Sequence, residues 1–147
     1  FAFANLEIAW EGKAAGRKPT IADTITVSCE VTNTGRRAGD EVVQLYTRDV
    51  VSSVMTYDKN LRGFERIHLA PGETRRVSFA IPPESLELWN VQRQRVVEPG
   101  EFQVMLGDSS VDLEREKKKS KLKNPGQPGI RLTGKFELVA AEAGGRR

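Results

Sequence analysis

The sequence of 147 residues contains one cysteine and one histidine, Cys29 and His68. A single cysteine cannot form an internal disulfide, so cysteine usage does not reveal the redox compartment. Zinc sites need clustered His, Cys or carboxylate ligands, and these two residues lie 39 positions apart. We therefore predict no metal site. Cys29 falls in an alternating apolar run and is predicted to be a buried structural thiol.

Motifs of enzyme active sites are missing as well. The sequence has no G-x-S-x-G nucleophile elbow, no P-loop and no carboxylates at EF-hand spacing. Its acidic residues fall in turns and on polar strand faces, and none stand out as the facing carboxylate pair that a glycosidase needs. We predict no catalytic and no cofactor-binding residue, and hence a chain that is not an enzyme by itself.

Long apolar runs are also absent, and none approaches the ~20 residues that a membrane-spanning helix needs. We therefore expect no membrane insertion. The sequence begins at Phe1, without Met or a charged-then-apolar leader, inside what reads as structured sequence. We expect it to be cut from a longer polypeptide, and its location cannot be read from a leader.

The net charge of +3 is concentrated in one segment, 112–123, which has six basic and three acidic residues. A nucleic-acid-binding domain carries its basic charge on the folded surface, so we predict no nucleic-acid partner. The simpler interpretation of the segment is a solvated loop, and the alternative is an electrostatic contact with an acidic partner. The residues of that candidate electrostatic loop are Lys117, Lys118, Lys119, Lys121 and Lys123.

Apolar residues instead alternate with period two along nearly the whole chain, which is typical of half-buried strands. Pro-Gly turns at 70–73 and 98–101 each precede an alternating run. We predict an all-β fold, an antiparallel β-sandwich of about seven strands of the immunoglobulin or fibronectin type III class, with the strand over 101–107 in mid-sheet. The alternating positions include Leu6, Ile8, Trp10, Ile25, Val27, Val31, Val43, Leu45, Val77, Phe79, Ile81, Phe102, Val104, Leu106, Phe136 and Leu138.

One stretch, 82–89, departs from this pattern, because prolines at its start and Leu86 and Trp89 three positions apart predict a single helical turn. We interpret Trp89 as a core residue rather than a sugar-stacking platform. We predict one domain over 1–140, with an inserted basic, Pro/Gly-containing loop at 113–129 and a disordered tail at 141–147.

Several stretches resemble the C-terminal fibronectin type III-like domain of glycoside hydrolase family 3. They follow in the family's order over nearly the whole chain. The segments that carry the resemblance are Val31-Thr-Asn-Thr-Gly35, Ala38-Gly-Asp-Glu-Val-Val-Gln-Leu-Tyr46, Val51-Ser-Ser-Val54, Leu61-Arg-Gly-Phe64, His68-Leu-Ala-Pro-Gly-Glu73 and Val97-Glu-Pro-Gly-Glu-Phe102.

The resemblance implies a parent β-glucosidase or β-xylosidase that retains anomeric configuration and carries its catalytic residues in preceding domains. No catalytic residue can be carried over to this chain. The implied partners are those catalytic domains of the same polypeptide, and the implied location is periplasmic or secreted, with a cytoplasmic one open.

Two departures from the family pattern concern loops. The family commonly has Arg-Pro after the Val-Ser-Ser-Val stretch, where this chain has Thr56 and Tyr57. In relatives this loop can run toward the catalytic domains, so Thr56, Tyr57, Asp58 and Lys59 are candidate contacts to the parent active site or a ligand. The second departure is the segment 113–129, interpreted as an insertion in the final hairpin loop.

Three functions stay open at this point. The first is a non-catalytic accessory module that packs on a glycosidase, which predicts an apolar or mixed patch on one sheet face. The second is a carbohydrate-binding module, which would need exposed coplanar aromatics, with Tyr57 the best exposed candidate. The third is a cell-surface or partner-binding module that uses the Lys-rich loop.

Overall fold

The structure is a computed structural model that describes residues 1–50, 60–89, 92–109 and 129–140, and only the backbone of residues 88, 89 and 95. Two short 3₁₀ helices occupy Lys13–Ala15 and Pro83–Leu86. The strands are β1 (Ala2–Ala9), β2 (Ile25–Thr32), β3 (Gly39–Asp49), β4 (Asn60–Leu69), β5 (Thr74–Ile81), β6 (Leu88–Trp89), β7 (Arg95–Val96), β8 (Gly100–Gly107) and β9 (Ile130–Leu138).

Seven of these strands form two antiparallel sheets. One has three strands in the order β1-β2-β5, and the other has four in the order β4-β3-β8-β9, while β6 and β7 pair separately. β8 lies between β3 and β9, which confirms its predicted mid-sheet position. The predicted all-β sandwich of about seven strands is confirmed.

The core lies between the two sheets and consists largely of the predicted alternating residues, together with Ile67, Leu69 and Leu86. On β2 the side chains of Ile25, Val27, Cys29 and Val31 are all fully buried, so the structural role predicted for Cys29 is confirmed. Across the β8–β9 pair, the rings of Phe102 and Phe136 stack with centroids 5.5 Å apart. Alternation places every second side chain on the inner face, so pairing strands in this register buries one continuous apolar layer.

The turn and helix predictions are also confirmed. Gly72 has φ 78° and Gly100 has φ 142°, values that favour glycine at the two Pro-Gly turns. The predicted helical turn in 82–89 is the 3₁₀ helix that begins at Pro83. The side chain of Trp89 lies outside the described part, so its predicted core position stays a prediction.

The antiparallel order sorts the connections to two ends of the sandwich. β3 ends and β4 begins at one end, where Thr47 pairs with Asn60. β8 ends and β9 begins toward the other end, where Gly107 pairs with Ile130. Segments 50–59 and 108–129 therefore connect strands at opposite ends of the four-stranded sheet.

Candidate interdomain contact surface

The outer face of the three-stranded sheet is polar. Its centre is Arg76, which donates to Ser28 Oγ at 2.8 Å and pairs with Glu7 at 2.8 Å and with Glu30 at 3.6 Å. Asn5 donates to the same Glu30 at 2.6 Å. Charged and polar groups that satisfy one another across neighbouring strands are typical of a face that stays in water.

The outer face of the four-stranded sheet is different, because large apolar side chains stand on it in water. Phe64 on β4 is 70% exposed, Leu61 is 51% exposed, and Val42 on β3 is 36% exposed. Phe64 lies opposite Gln44, and Leu61 lies opposite half-buried Tyr46, so register places these residues on one face. We call Val42, Tyr46, Leu61 and Phe64 the apolar patch.

A β-bulge brings Leu61 and Phe64 to the same face. Leu45 pairs with Gly63 and the next residue, Tyr46, pairs with Leu61, so Arg62 is the extra residue on β4. In a regular strand, side chains three positions apart point to opposite faces. A Cβ on Gly63 would lie 2.9 Å from Phe79 Cδ1, so the inner side of the bulge is closely packed and only glycine fits there without a shift.

Arg62, which lies between Leu61 and Phe64 in sequence, is half-buried. Its Nε donates to Thr47 Oγ1 at 2.7 Å, and Thr47 is 1% exposed. Burial lowers the pKa of the Arg62 guanidinium. The bulge therefore turns an arginine toward the rim of the core while the residues beside it point outward.

The patch has a charged neighbour on the same two strands. Asp40 on β3 accepts hydrogen bonds from Arg66 Nε at 2.9 Å and from the Arg66 terminal amine, and it contacts His68 Nδ1. The hydrogen bonds from His68 and Arg66 hold the pKa of Asp40 below its usual range. These exposed groups sit in water and form a polar border beside Val42 and Phe64.

An open hollow of about 450 Å³ lies further along the same face. Arg48, Glu101, Gln103 and Lys135 line it, and Lys135 Nζ lies 3.2 Å from Glu101 Oε1. None of the described residues that line it is aromatic. Sugar-binding surfaces present aromatic faces to the ring, so the hollow is not built as a stacking platform.

Trp10, the tryptophan whose side chain the structure describes, does not present an open ring face to a sugar either. It is half-buried against the core, and its Nε1 donates to the Arg17 carbonyl at 2.6 Å. Lys13 Nζ lies 5.0 Å from the ring centroid, so a cation already occupies that face. Arg17 and Asp23 brace this loop through two hydrogen bonds of 3.0 Å, which keep the pKa of Asp23 lowered.

The candidate contact residues Thr56, Tyr57, Asp58 and Lys59 lie outside the described residues, as does the candidate electrostatic loop Lys117, Lys118, Lys119, Lys121 and Lys123. The structure does place the strand ends that carry them. The first set follows β3 beside the hollow, and the second follows β8 at the opposite end. The strand ends that flank the two predicted sites therefore lie at opposite ends of the sheet, and both sites stay predictions.

The base of the Lys-rich segment is tightly closed. Gly129 N donates to Asp108 Oδ1 at 2.7 Å, and Asp108 N donates to the Gly129 carbonyl at 3.2 Å. Asp108 also lies 3.7 Å from Arg131. Burial and the neighbouring Asp108 carboxylate together raise the pKa of Glu41. Asp108 is thus the residue that ties the two ends of the segment together.

Leu61 and Phe64 had no assigned role in the sequence prediction beyond the resemblance. The signal that could have found them is the broken alternation around Arg62-Gly63, which is what a bulge produces.

No helix among the described residues is long and apolar enough to cross a membrane. In the same part of the chain, no group of three or more His, Cys, Asp and Glu side chains could hold a metal ion.

Part of this chain matches a known protein family. The family model described as the fibronectin type III-like domain matches residues 41–110. This chain carries a fibronectin type III-like domain. The matched residues run from the start of β3 to the end of β8, and β1, β2 and β9 complete the two sheets around the domain that the family model matches.

The relatives are β-xylosidases and β-glucosidases. A putative β-xylosidase of Formosa agariphila is 45% identical over 103 residues, which are 70% of this chain and 14% of that protein. A periplasmic β-glucosidase of Salmonella typhimurium is 48% identical over 91 residues, which are 62% of this chain and 12% of that protein. The predicted resemblance to glycosidases of family 3 is confirmed.

A solved structure gives the same picture. A β-glucosidase involved in saponin metabolism from intestinal bacteria superposes with a TM-score of 0.73 and 32% identity, over 94% of this chain and 16% of that one. The chain therefore spans about an eighth to a sixth of the proteins it matches. What it shares with them includes the fibronectin type III-like domain.

Proposed function

We propose that this chain is the non-catalytic accessory module of a family 3 glycosidase, a β-glucosidase or β-xylosidase. In this proposal it packs through the outer face of its four-stranded sheet on the preceding catalytic domains of the same polypeptide. The contrast between its two outer faces carries the proposal: one face is polar and internally paired, and the other exposes Phe64 and Leu61.

The energetics favour burial of the patch. Exposed aromatic and aliphatic side chains that cluster on one face mark contact sites, because their burial removes apolar area from water. Contacts between domains of one chain bury a few hundred Å² per side and are more polar than obligate interfaces. Phe64 and Leu61 beside the Asp40–Arg66–His68 border fit that composition.

The parent's location and its substrate belong to the same proposal. The relatives' names supply glucosides and xylosides as substrate classes, and one relative is periplasmic. That likeness supports a periplasmic or secreted parent. Carbohydrate binding by the module itself is a weaker candidate, because none of the described residues lining the hollow is aromatic and Trp10 is already covered.

The test replaces Phe64 by Ser in two proteins: the isolated chain, and the complete polypeptide encoded by the reading frame that contains it. Because Phe64 lies outside the core, the isolated chain should change its free energy of unfolding by less than about 0.5 kcal/mol. In the complete polypeptide the free energy of unfolding of the module should fall by at least about 1 kcal/mol, the loss typical of an aromatic contact residue. Denaturant unfolding measures both values.

The matched control is Ala80→Ser, a change of an exposed apolar residue on the outer face of the other sheet, opposite Thr26. It should leave the free energy of unfolding of both proteins unchanged. Equal behaviour of the two variants in the complete polypeptide would contradict packing through the four-stranded sheet.

A further inference from the structure

Two carboxyl groups meet where the four-stranded sheet ends beside the Lys-rich segment. Glu41 on β3 lies opposite buried Ile67, so its side chain belongs to the inner face of the sheet. β3 and β8 pair as far as Gln44 and Gly107, and the residue that follows is Asp108. This register brings Asp108 close to Glu41, and the two side chains hydrogen-bond each other.

A hydrogen bond between two carboxyl groups requires a proton on one of them, because an ionised carboxylate only accepts. Asp108 already receives two other donors. Its Oδ1 accepts from Gly129 N at 2.7 Å, and its Oδ2 lies 3.7 Å from a terminal nitrogen of Arg131. Asp108 is therefore the acceptor of the pair, and Glu41 is the side chain that carries the shared proton.

The surroundings of Glu41 favour its protonated form. Burial is the largest effect, and the charge of Asp108 acts in the same direction, so the pKa of Glu41 lies above its ordinary value of 4.5. The hydrogen bond from Val42 N and the amino group of Phe1, when that group is free, oppose this rise. Asp40, the neighbouring acid on β3, points to the outer face and has its own basic partners there.

We propose that Glu41 and Asp108 form an acid-sensitive latch at the base of the Lys-rich segment. In acid, Glu41 donates its proton in a hydrogen bond to Asp108 and so ties β3 to the closed end of the β8–β9 hairpin. As the pH rises toward neutrality, the proton is released to solvent and the two carboxylates repel each other. The latch makes the hold on the base of the segment depend on pH, and it lies apart from the apolar patch on the outer face.

Protonation of Glu41 stabilises the folded state. The unfolded chain has the ordinary pKa of 4.5 at this residue and the folded chain a higher one, so the folded chain binds more protons between the two values. The stabilisation is present below pH 4.5 and is lost as the pH rises through the folded pKa. The lowered pKa values of Asp23, Asp40 and Glu73 keep these groups more than half ionised at pH 4.5, so they do not mask the effect.

Hydrogen exchange of the Asp108 and Gly129 amides tests the latch, because these two amides close the pairing of β8 and β9. Protection factors, which correct for the pH dependence of intrinsic exchange, are measured in the complete polypeptide at pH 4.5 and pH 7. At pH 4.5 Glu41 is more than half protonated. The wild-type protection factors should be about two- to fivefold higher there than at pH 7, where fivefold corresponds to one hydrogen bond of about 1 kcal/mol.

The informative variant is Glu41→Gln, because its amide has nearly the shape of the protonated acid and donates at every pH. It should give equal protection at the two pH values, at the level that the wild-type protein reaches at pH 4.5. The matched control is Glu137→Gln, which removes an exposed carboxylate of β9 that lies opposite Glu101, away from Asp108. This control should keep the wild-type pH dependence.

Each of the other outcomes overturns the latch. Equal wild-type protection at the two pH values would show that no proton is shared. Wild-type pH dependence in Glu41→Gln would show that a different group titrates, and protection in this variant below the wild-type level at pH 7 would show that position 41 does not donate to Asp108. Loss of the pH dependence in Glu137→Gln as well would indicate a general effect of surface charge.

Discussion

At the scale of single residues, Cys29 is a thiol held between the two sheets. It is fully buried, and burial raises its pKa from about 9 to about 11. Between those two values the unfolded chain has released the thiol proton while the folded chain keeps it. Stability therefore falls as pH rises through this range, because the unfolded state binds fewer protons.

Between pH 8 and pH 10, we expect the free energy of unfolding of the wild-type chain to fall by about 1 kcal/mol more than that of Cys29→Ala. One unit of pKa difference corresponds to ~1.4 kcal/mol. Denaturant unfolding at the two pH values measures it. The comparison uses only the slope of unfolding free energy against pH, because the substitution also removes core volume and so lowers stability at every pH. Parallel pH profiles for the two proteins, or rapid reaction of the native thiol with a disulfide reagent, would contradict a buried neutral thiol.

Gly107 shows a second residue-level constraint. A Cβ at this position would lie 2.2 Å from the carbonyl oxygen of Gly129 and 2.8 Å from Ile130 Cα. Both contacts are with backbone, which cannot rotate away as a side chain can. The absence of a side chain at Gly107 is therefore what lets β8 and β9 approach where the Lys-rich segment begins and ends.

At the scale of elements, the β8–β9 hairpin is complete without the segment it carries. β8 and β9 pair from Gly100–Leu138 to Gly107–Ile130, and Asp108 and Gly129 close the pairing with two hydrogen bonds. Because the ends of the segment are already joined at Asp108 and Gly129, its length affects mainly the entropy of closing the loop.

We predict that replacing residues 109–128 by Asn-Gly, a two-residue hairpin turn, leaves the fold intact. The free energy of unfolding should be unchanged or higher by up to about 2 kcal/mol, because shortening the loop reduces the entropy lost on closure. Thermal and denaturant unfolding measure the change. The variant also loses the net positive charge of the segment, so its ion-exchange elution should shift.

Asp108→Ala is the control for this deletion. It keeps the segment but removes the side-chain acceptor of Gly129 and the ion pair with Arg131, and should cost about 1 kcal/mol. A deletion variant that is less stable than Asp108→Ala would show that the segment itself contributes to the fold.

At the scale of the whole molecule, the two outer faces of the sandwich differ: one is polar and internally paired, and the other exposes apolar side chains. Arg76 and its partners satisfy the first, and Phe64 and Leu61 leave the second apolar. Within the patch, the Tyr46 hydroxyl donates to Gln44 Oε1 on the same strand, so this hydroxyl is satisfied within the sheet. This contrast between the two outer faces is what supports the proposed packing on another domain.

We predict that the isolated chain hydrolyses neither nitrophenyl β-glucoside nor nitrophenyl β-xyloside. We also predict that affinity gels containing insoluble glucan do not retard it. Both follow from a module that spans about an eighth of its named curated relatives and whose described hollow has no aromatic lining. Clear turnover would contradict the non-catalytic role, and retardation would favour the carbohydrate-binding alternative over the packing module.

Most of the fold could be predicted from the sequence, for a physical reason. Ile25, Val27, Cys29 and Val31 alternate because a strand presents every second side chain to the core, and each of them is buried. The Pro-Gly turns at Gly72 and Gly100 need backbone angles that glycine favours. Local geometry alone sets both patterns.

The apolar patch could not be predicted in the same way. Alternation says that Leu61 and Phe64 face opposite sides, and the bulge at Arg62 reverses this. Whether a strand bulges depends on its pairing with β3 and on the close approach of Gly63 to Phe79. These are contacts between residues far apart in sequence, so no local pattern contains them.

The sequence by itself determined that this chain is a β-sandwich of the fibronectin type III-like kind, because strand period and turn chemistry are local properties. The tertiary structure decided which outer face of the sandwich is left apolar and where the half-buried Arg62 stands. Pairing register and a one-residue bulge on β4 set Phe64 and Leu61 on one face and turn Arg62 toward Thr47, and both arise only when the strands meet.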